Sequence, residues 1–260
     1  MSATTGRRLP APGTPGWVNL MVEDLSAARA FYAAVLGWEF QPSPLGDQVL
    51  VASAEGAPVA VIGKRNPGFA PESPWTPSFV VRDAGTTAAR VQERGATVAV
   101  GPVALSQGRA GLAADPEGAT FGFREGAVPA WTGESRARSR IDLQTRNVFD
   151  AALFYGGVLG WAAEPGIKVT HQDDLVVVEA EGTAALTPRG GGAPGSGEPH
   201  LRPRWLVNFS VDDVEAAVAA AAREGGRRPR PPATSGTPKG FSRTLQNPTG
   251  GLFTPTHRRP

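Results

Sequence analysis

Two kinds of hydrophobic pattern alternate along the chain in a fixed order. Four segments alternate apolar and polar residues as half-buried strands do: WVNLMV, SFVV, RIDLQT and WLVNFSV. A stretch of about ten residues with apolar positions three or four apart follows each strand, as in Ala28, Phe31 and Val35, and predicts an amphipathic helix. Short strand segments divided by Gly and Pro complete each unit. The pattern predicts an α+β chain in which a unit of strand, helix and three strands is used four times.

The predicted helices carry start and stop signals. Asp24 and Asn147 precede two of them and can accept a hydrogen bond from a backbone N–H of the first turn. Gly37 and Gly160 follow the same two helices and can adopt the positive φ that ends a helix. These signals predict helices that begin just after residues 24 and 147.

The chain also repeats itself. DLSAARAFYAAVLGW at residues 24–38 returns as NVFDAALFYGGVLGW at 147–161, and DPEGATFGF at 115–123 resembles NPTGGLFTP at 247–255. Each large repeat contains two of the smaller units, so we expect two similar domains. The predicted division is a flexible N-terminal tail at 1–13, a first domain at 14–126, a linker at 127–137 and a second domain at 138–257.

Composition narrows the range of partners. The net charge is only +2, with 26 Lys and Arg against 24 Asp and Glu, so no strong field favours nucleic acid or an acidic membrane. The chain has no cysteine, which excludes disulfides, thiolate metal sites and cysteine nucleophiles. No run of 18 apolar residues and no signal-peptide pattern occurs at the start. We therefore expect a cytoplasmic protein that binds neither nucleic acid nor membranes.

The repeated motifs resemble a known family. A strand, the pattern D-x-x-x-A-x-x-F-Y, then V-L-G-W, and later a D-P-x-G turn before a final strand are similar to the glyoxalase, bleomycin-resistance and dioxygenase group, the vicinal oxygen chelate superfamily. The resemblance covers roughly residues 14–125 and again 138–256. It implies two tandem domains, each a pair of βαβββ units that form a cup-shaped mixed sheet with helices outside. In metal-dependent members the cup holds a divalent ion that polarises two neighbouring substrate oxygens.

The metal-ligand positions that the resemblance implies carry unsuitable side chains. On the opening strands they correspond to Trp17 and Arg140, and indole and guanidinium are not ligands for such ions. The further positions correspond to Thr76, Leu206, Gly122 and Thr254. We therefore expect no metal and no cofactor.

Other residues of the cups are candidates for ligand binding. Trp17 offers a flat aromatic surface for stacking, although simple packing is an equal alternative. Asn19 and Asp142 lie two residues after Trp17 and Arg140, on the same strand faces, and could hydrogen-bond a ligand. Asp142 could also act as a catalytic base, while the alternative for Arg140 and Asp142 is a structural ion pair. The predicted ligand-binding residues are Trp17, Asn19, Trp75, Arg140, Asp142, Trp205 and Asn208.

The sequence is compatible with functions of different classes. The first is a binding protein that sequesters a hydrophobic or aromatic small molecule without a metal, as in drug resistance. The alternative is a metal-independent enzyme of the hydroxylase, cyclase or isomerase type, acting in natural-product tailoring or metabolite detoxification. A structural or regulatory protein with a vestigial cup is the third possibility. We expect a monomer with an internal pseudo-dimer, or a homodimer.

Overall fold

The computed structural model describes most of the chain. The described residues are 11–43, 46–65, 75–105, 108–126, 140–172, 175–180, 186–190, 203–229 and 243–257. They form the α+β architecture that the sequence pattern predicts, with two separate mixed sheets and four α-helices. None of the described helices is long and apolar enough to span a membrane.

Eight strands from the first half of the chain form the first sheet. They are β1 (Pro15–Val22), β2 (Glu39–Ser43), β3 (Gly46–Ala54), β4 (Ala57–Lys64), β5 (Thr76–Val80), β6 (Thr97–Leu105), β7 (Gly108–Ala114) and β8 (Thr120–Glu125). Their order in the sheet is β2-β3-β4-β1-β5-β8-β7-β6. The opening strands β1 and β5 pair antiparallel at the centre, and each pairs parallel with the last strand of its own unit on the other side. The two βαβββ units are thus joined side by side.

The second half of the chain repeats this arrangement with seven described strands. They are β9 (Arg140–Thr145), β10 (Ile167–Gln172), β11 (Leu175–Ala180), β12 (Leu186–Gly190), β13 (Arg204–Val211), β14 (Leu245–Gln246) and β15 (Leu252–His257). Their order is β10-β11-β12-β9-β13-β15-β14. Again the two opening strands, β9 and β13, are antiparallel neighbours at the centre.

Each described unit contributes one α-helix: α1 (Leu25–Leu36), α2 (Ala84–Glu93), α3 (Val148–Leu159) and α4 (Val214–Arg223); a 3-10 turn, Trp161–Ala163, follows α3. The predicted caps are confirmed. Asp24 and Asn147 accept bonds from the amides of Ala27 and Asp150, and Gly37 and Gly160 end the helices with φ of 67° and 74°.

One apolar core is shared by both halves. On each sheet, alternate residues such as Val18, Leu20 and Phe79, or Ile141 and Leu143, point toward the helices and belong to a single buried cluster. Helix α1 packs on α4, and α2 on α3, so each helix contact joins one half to the other. The halves therefore form a pseudo-dimer within one chain.

The first sheet takes its strands from residues 15–125 and the second from residues 140–257, and the predicted division into domains at 14–126 and 138–257 stays a prediction. The predicted flexible tail includes residues 11–13, but the Gly13 amide donates to Val80 O at 2.7 Å. The carbonyl of Gly13 accepts from Trp161 Nε1 at 2.9 Å. This turn is consequently fixed to both halves, while the predicted linker at 127–137 lies outside the described residues.

Candidate functional site

Each sheet has a second face, opposite to the core, which we call the cup face. In the first sheet it is identified by Trp17, Asn19 and Met21, which alternate with the core residues of β1. In the second sheet it is identified by Arg140 and Asp142, which alternate with the core residues of β9. Five of the seven predicted ligand-binding residues lie on these two faces: Trp17, Asn19, Arg140, Asp142 and Asn208.

Trp17 lies at the centre of the first cup face with an unsatisfied polar atom. Its side chain is only 8% exposed and packs with Val80 in a small cluster apart from the main core. Its indole Nε1 is buried, and no described residue accepts a hydrogen bond from it. The guanidinium carbon of Arg124 lies 5.0 Å from the centre of the indole ring, a cation–π contact. Burial lowers the pKa of Arg124 below its usual range.

The surroundings of Trp17 combine small polar groups with aliphatic side chains. Trp17 is paired across the sheet with Ser78, which is paired in turn with Gly122, so these three residues form one row on the cup face. Asn19 lies two residues further along β1 on the same face, and its Nδ2 lies 3.5 Å from the carbonyl oxygen of Thr76, its partner across the sheet. The aliphatic residues of the same face are half-buried or buried: Val49, Val51, Val61, Val80, Val100 and Leu112.

The second cup face carries a hydrogen-bonded polar cluster in place of the tryptophan. Arg140 Nε donates to Asp142 Oδ1 at 3.1 Å, which also makes the pair a salt bridge. Asn208 Nδ2 donates to Asp142 Oδ2 at 3.0 Å and to Arg140 O at 3.2 Å. Asp142 and Asn208 are each 7% exposed. The ion pair expected as the alternative for Arg140 and Asp142 is therefore present, with Asn208 as a third member.

The polar cluster extends across the sheet. Thr254 is paired with Asn208, and its hydroxyl lies 3.1 Å from that of Thr244. Both threonines are buried, and Leu206 and Leu252, also buried and outside the main core, lie on the same face. The row Arg140, Asn208, Thr254 thus occupies the place that Trp17, Ser78 and Gly122 occupy in the first sheet.

The side chains at the positions where the family resemblance implies metal ligands do not fit a divalent ion. Trp17, Thr76 and Gly122 provide no carboxylate or imidazole in the first cup, and a cationic guanidinium, Arg140, stands in the second. Among the described residues, no group of three or more His, Cys, Asp or Glu side chains could hold a metal ion.

Trp75 and Trp205 lie elsewhere than expected. They are 1% and 2% exposed and belong to the main core, on the side of the sheets opposite to the cups. Their indole N–H groups donate to the hydroxyls of Tyr32 and Tyr155, each at 3.0 Å. Trp75 directly precedes β5 and Trp205 is the second residue of β13, and near the end of a strand an error of one position changes the face to which a side chain points. They do not belong to the cups and contribute to the core instead.

Three polar residues of the cups are not among those predicted from the sequence: Ser78, Arg124 and Thr244. Arg124 follows Phe121 and Phe123 in the alternating strand FGFRE. The alternation alone indicates that the two phenylalanines share one face of the sheet and that the arginine lies on the other. The position of Thr244 had no sequence signal, because β14 contains only two residues.

Comparison with known proteins agrees with the fold. Residues 16–52 match the family described as bleomycin resistance protein-like N-terminal, and residues 140–255 match the glyoxalase-like domain. The Mn(II)-bound glyoxalase from Novosphingobium aromaticivorans superposes with a TM-score of 0.56 at 20% identity, covering 96% of this chain and 83% of that one. A variant of homoprotocatechuate 2,3-dioxygenase from B. fuscum gives a TM-score of 0.56 at 16% identity, covering 96% and 73%. At these identities the likeness shows the fold alone.

Curated relatives are more similar in sequence and match over nearly their full length. The anthracycline biosynthesis protein DnrV of Streptomyces peucetius is 32% identical over 270 residues, covering 94% of this chain and 92% of that protein. The putative glyoxylase CFP32 of Mycobacterium tuberculosis is 30% identical over 252 residues, covering 93% of each. With two tandem βαβββ pairs and these relatives, the chain belongs to the glyoxalase-like family of the vicinal oxygen chelate superfamily.

Proposed function

We propose that this protein binds a flat, hydrophobic aromatic small molecule on the cup face of its first sheet, without a metal ion, and sequesters it. The observation that carries the proposal is the buried Trp17 Nε1, which has no acceptor among the described residues. Buried N–H groups are nearly always hydrogen-bonded, so such a group on a cup face is suited to an oxygen supplied by a ligand.

The chemistry around this N–H group favours an aromatic ligand. The indole N–H group gives a hydrogen-bond donor, and the half-buried valines and Leu112 give an apolar lining. The Arg124 guanidinium beside the ring favours an electron-rich or partly negative oxygen over a positive group. A polycyclic ligand with carbonyl or phenol oxygens, such as a quinone, combines these properties.

The names of two relatives support the same class of ligand. Both DnrV of Streptomyces peucetius and DauV of Streptomyces sp. strain C5 are called anthracycline biosynthesis proteins. Anthracyclines contain a fused-ring quinone, which matches the ligand that the first cup would accept. We therefore extend the proposal to aromatic polyketides as the ligand class.

Binding is favoured over catalysis because the described residues of the two cups offer no matched acid and base. Asp142 is the carboxylate that could remove a proton, but its described partners are the guanidinium of Arg140 and the amide of Asn208, and neither completes an acid–base pair with it. A metal-independent tailoring enzyme remains the alternative, and turnover of a bound quinone by the purified protein would favour it.

Quinizarin, a dihydroxyanthraquinone without a sugar, is a suitable probe. We expect it to quench tryptophan fluorescence saturably in protein that metal analysis shows to be metal-free. Trp17→Phe keeps an aromatic ring and removes the N–H group, so it should weaken binding by about fivefold, equivalent to one hydrogen bond of about 1 kcal/mol. Trp17→Ala should weaken binding by about tenfold or more.

Trp161→Phe is the matched control, because it makes the same change at a core tryptophan whose N–H group already donates to Gly13 O. It should leave the affinity for quinizarin unchanged. Stoichiometric bound metal, or equal affinity in wild type and Trp17→Ala, would refute the proposal.

A further inference from the structure

Helix α3 carries two large apolar side chains on its outer face. Phe149 and Leu153 are four residues apart and therefore lie side by side on the helix. They are 63% and 59% exposed, more than the other large hydrophobic side chains that the structure describes. Other residues of α3, such as Phe154 and Val158, form its buried side. An exposed apolar pair on one helix face is a candidate interaction surface.

The corresponding helix of the first half lacks this pair. Alignment of the repeated phrases places Ser26 and Ala30 of α1 at the positions of Phe149 and Leu153. All four residues are exposed, so the shared fold requires no large apolar side chain at either position. The apolar pair is thus specific to the second half, and the core does not explain it.

We propose that the outer face of α3 is the interface of a homodimer, in which α3 of one copy packs antiparallel on α3 of a second copy. We call this surface the α3 face, and it comprises Phe149, Asp150, Leu153, Gly156, Gly160 and the Arg94 side chain that follows α2. The inference is independent of the proposed function, because α3 packs on the core side of its sheet and the cups lie on the opposite side.

The shape of the α3 face is suited to a second copy of itself. Gly156 and Gly160 follow Phe149 by about two and three turns and lie on the same side of the helix. A Cβ atom added at either glycine would meet nothing within 4 Å, so the space above both is open. A two-fold axis at Leu153 relates two antiparallel helices. In that arrangement the Phe149 ring of each copy packs over the two glycines of the other.

Charges on the α3 face are complementary in the same arrangement. Asp150 is exposed near the start of α3. The Arg94 guanidinium covers Gly157 on the same flank, because its Nε and Nη2 would lie 2.5 Å from a Cβ built on that glycine. Positions 150 and 157 are separated by about 10 Å along the helix. The two-fold axis places Asp150 of each copy beside Arg94 of the other, whereas parallel helices would bring like charges together.

The size of the α3 face determines the expected affinity. A single pair of helices with two large side chains per copy buries less than the roughly 800 Å² per partner of a standard stable interface. We therefore expect a reversible dimer with a Kd of about 10–100 µM. A partner of other chemistry is not required, since the face complements itself in both shape and charge.

Sedimentation equilibrium of the full-length protein between about 5 µM and about 500 µM tests the dimer. We expect the average mass to rise with concentration from that of one chain, 27.0 kDa, toward twice that value. A mass that stays at one chain up to about 500 µM would overturn the proposal.

A double variant tests whether α3 forms the interface. Phe149→Ser with Leu153→Ala introduces the residues that α1 has at these exposed positions, so the chain should still fold, as thermal unfolding can check. It should raise the dimer Kd by about tenfold or more. Val103→Ser is the matched control, because it changes a 47% exposed residue in the other half, and it should dimerise as wild type does. Equal Kd values in wild type and the folded double variant would assign the dimer to another surface and contradict the inference.

Exchange of the two charges tests the antiparallel arrangement. Asp150→Arg and Arg94→Asp should each raise the dimer Kd by about fivefold or more, because each places like charges together. The two changes combined in one chain should restore the Kd to within about twofold of wild type. Purely local damage by the two substitutions would add up instead. A combined variant that dimerises no better than either single variant would therefore refute the pairing of Asp150 with Arg94.

Discussion

The Tyr155 hydroxyl of the second half donates a hydrogen bond to Asp115 Oδ2 of the first half, at 3.0 Å. The reciprocal contact joins Asn247 Nδ2 of the second half to the Tyr32 hydroxyl of the first, at 3.1 Å. The tyrosines belong to the repeated FY pairs, and Asp115 and Asn247 begin the repeated turns. The residues that identify the family in the sequence therefore connect the two halves and lie away from the cups.

Asp115→Asn should make stability less dependent on pH. Burial raises the pKa of the Asp115 carboxyl, so the folded protein binds this proton more tightly than the unfolded chain. The resulting stabilisation is present below the ordinary aspartate pKa of about 4 and is lost as the pH rises through the higher folded-state value. Asparagine does not titrate, and Asn247 already occupies the equivalent turn. Compared with wild type, the variant should therefore gain stability from about pH 4 upward.

Urea unfolding of both proteins between about pH 4 and pH 7 measures this difference. Hydrogen bonds from Thr145 and Arg146 lower the pKa of the Glu117 carboxyl. Because Glu117 is present in both proteins, its contribution to the pH dependence of stability cancels in the comparison. A difference in unfolding free energy that stays constant over the whole range would show that Asp115 does not titrate as expected.

Tyr155→Phe should destabilise the protein more than Tyr32→Phe. Loss of the Tyr155 hydroxyl leaves the Trp205 N–H and a carboxylate oxygen of Asp115 without partners in the core. Loss of the Tyr32 hydroxyl leaves only neutral donors, from Trp75 and Asn247. We expect the free energy of unfolding to fall by about 3 kcal/mol in Tyr155→Phe and by about 2 kcal/mol in Tyr32→Phe, measured by urea unfolding at pH 7. A larger loss for Tyr32→Phe than for Tyr155→Phe would mean that another group stabilises the Asp115 carboxylate when the Tyr155 hydroxyl is absent.

The repeated pattern was sufficient to predict the fold, but not the role of every aromatic residue. Strand alternation, the caps at Asp24 and Asn147 and the glycine stops are local features, so the sequence predicts them directly. The bond between Tyr32 and Asn247 joins residues 215 positions apart, and no local pattern indicates it. Trp75 stands at the start of a strand, where the face of the side chain depends on an exact register that the sequence does not define.

Part of the candidate site could likewise be predicted. Counting back from each FY pair to the opening-strand position that the family resemblance implies identified Trp17 and Arg140, and the structure has both on the cup faces. The orphaned Trp17 N–H and the bond of Asn208 to Asp142 depend on side-chain orientation, which only the structure reveals.

Two glycine substitutions should have opposite effects on stability. An added Cβ at Gly156 in α3 meets nothing within 4 Å, so Gly156→Ala should stabilise the protein by about 0.5–1 kcal/mol through helix propensity. An added Cβ at Gly111 would lie 2.3 Å from Phe123 Cζ in the core, so Gly111→Ala should cost about 2 kcal/mol or more. Thermal and urea unfolding check both values, and a stable Gly111→Ala protein would mean that the Phe123 ring moves without cost.

The first half of the chain, expressed alone as residues 11–126, should form a symmetric homodimer. Without the second half, its core face would expose aromatic side chains that now pack on Phe253 and Tyr155, such as Phe31 and Phe121. A second copy can cover this face, because Asp115 of one copy would occupy the position of Asn247 against Tyr32 of the other. Light scattering coupled to size exclusion should give twice the mass of the half, and Tyr32→Phe should weaken the dimer. A folded monomer at micromolar concentration would show that the two halves do not depend on their shared core.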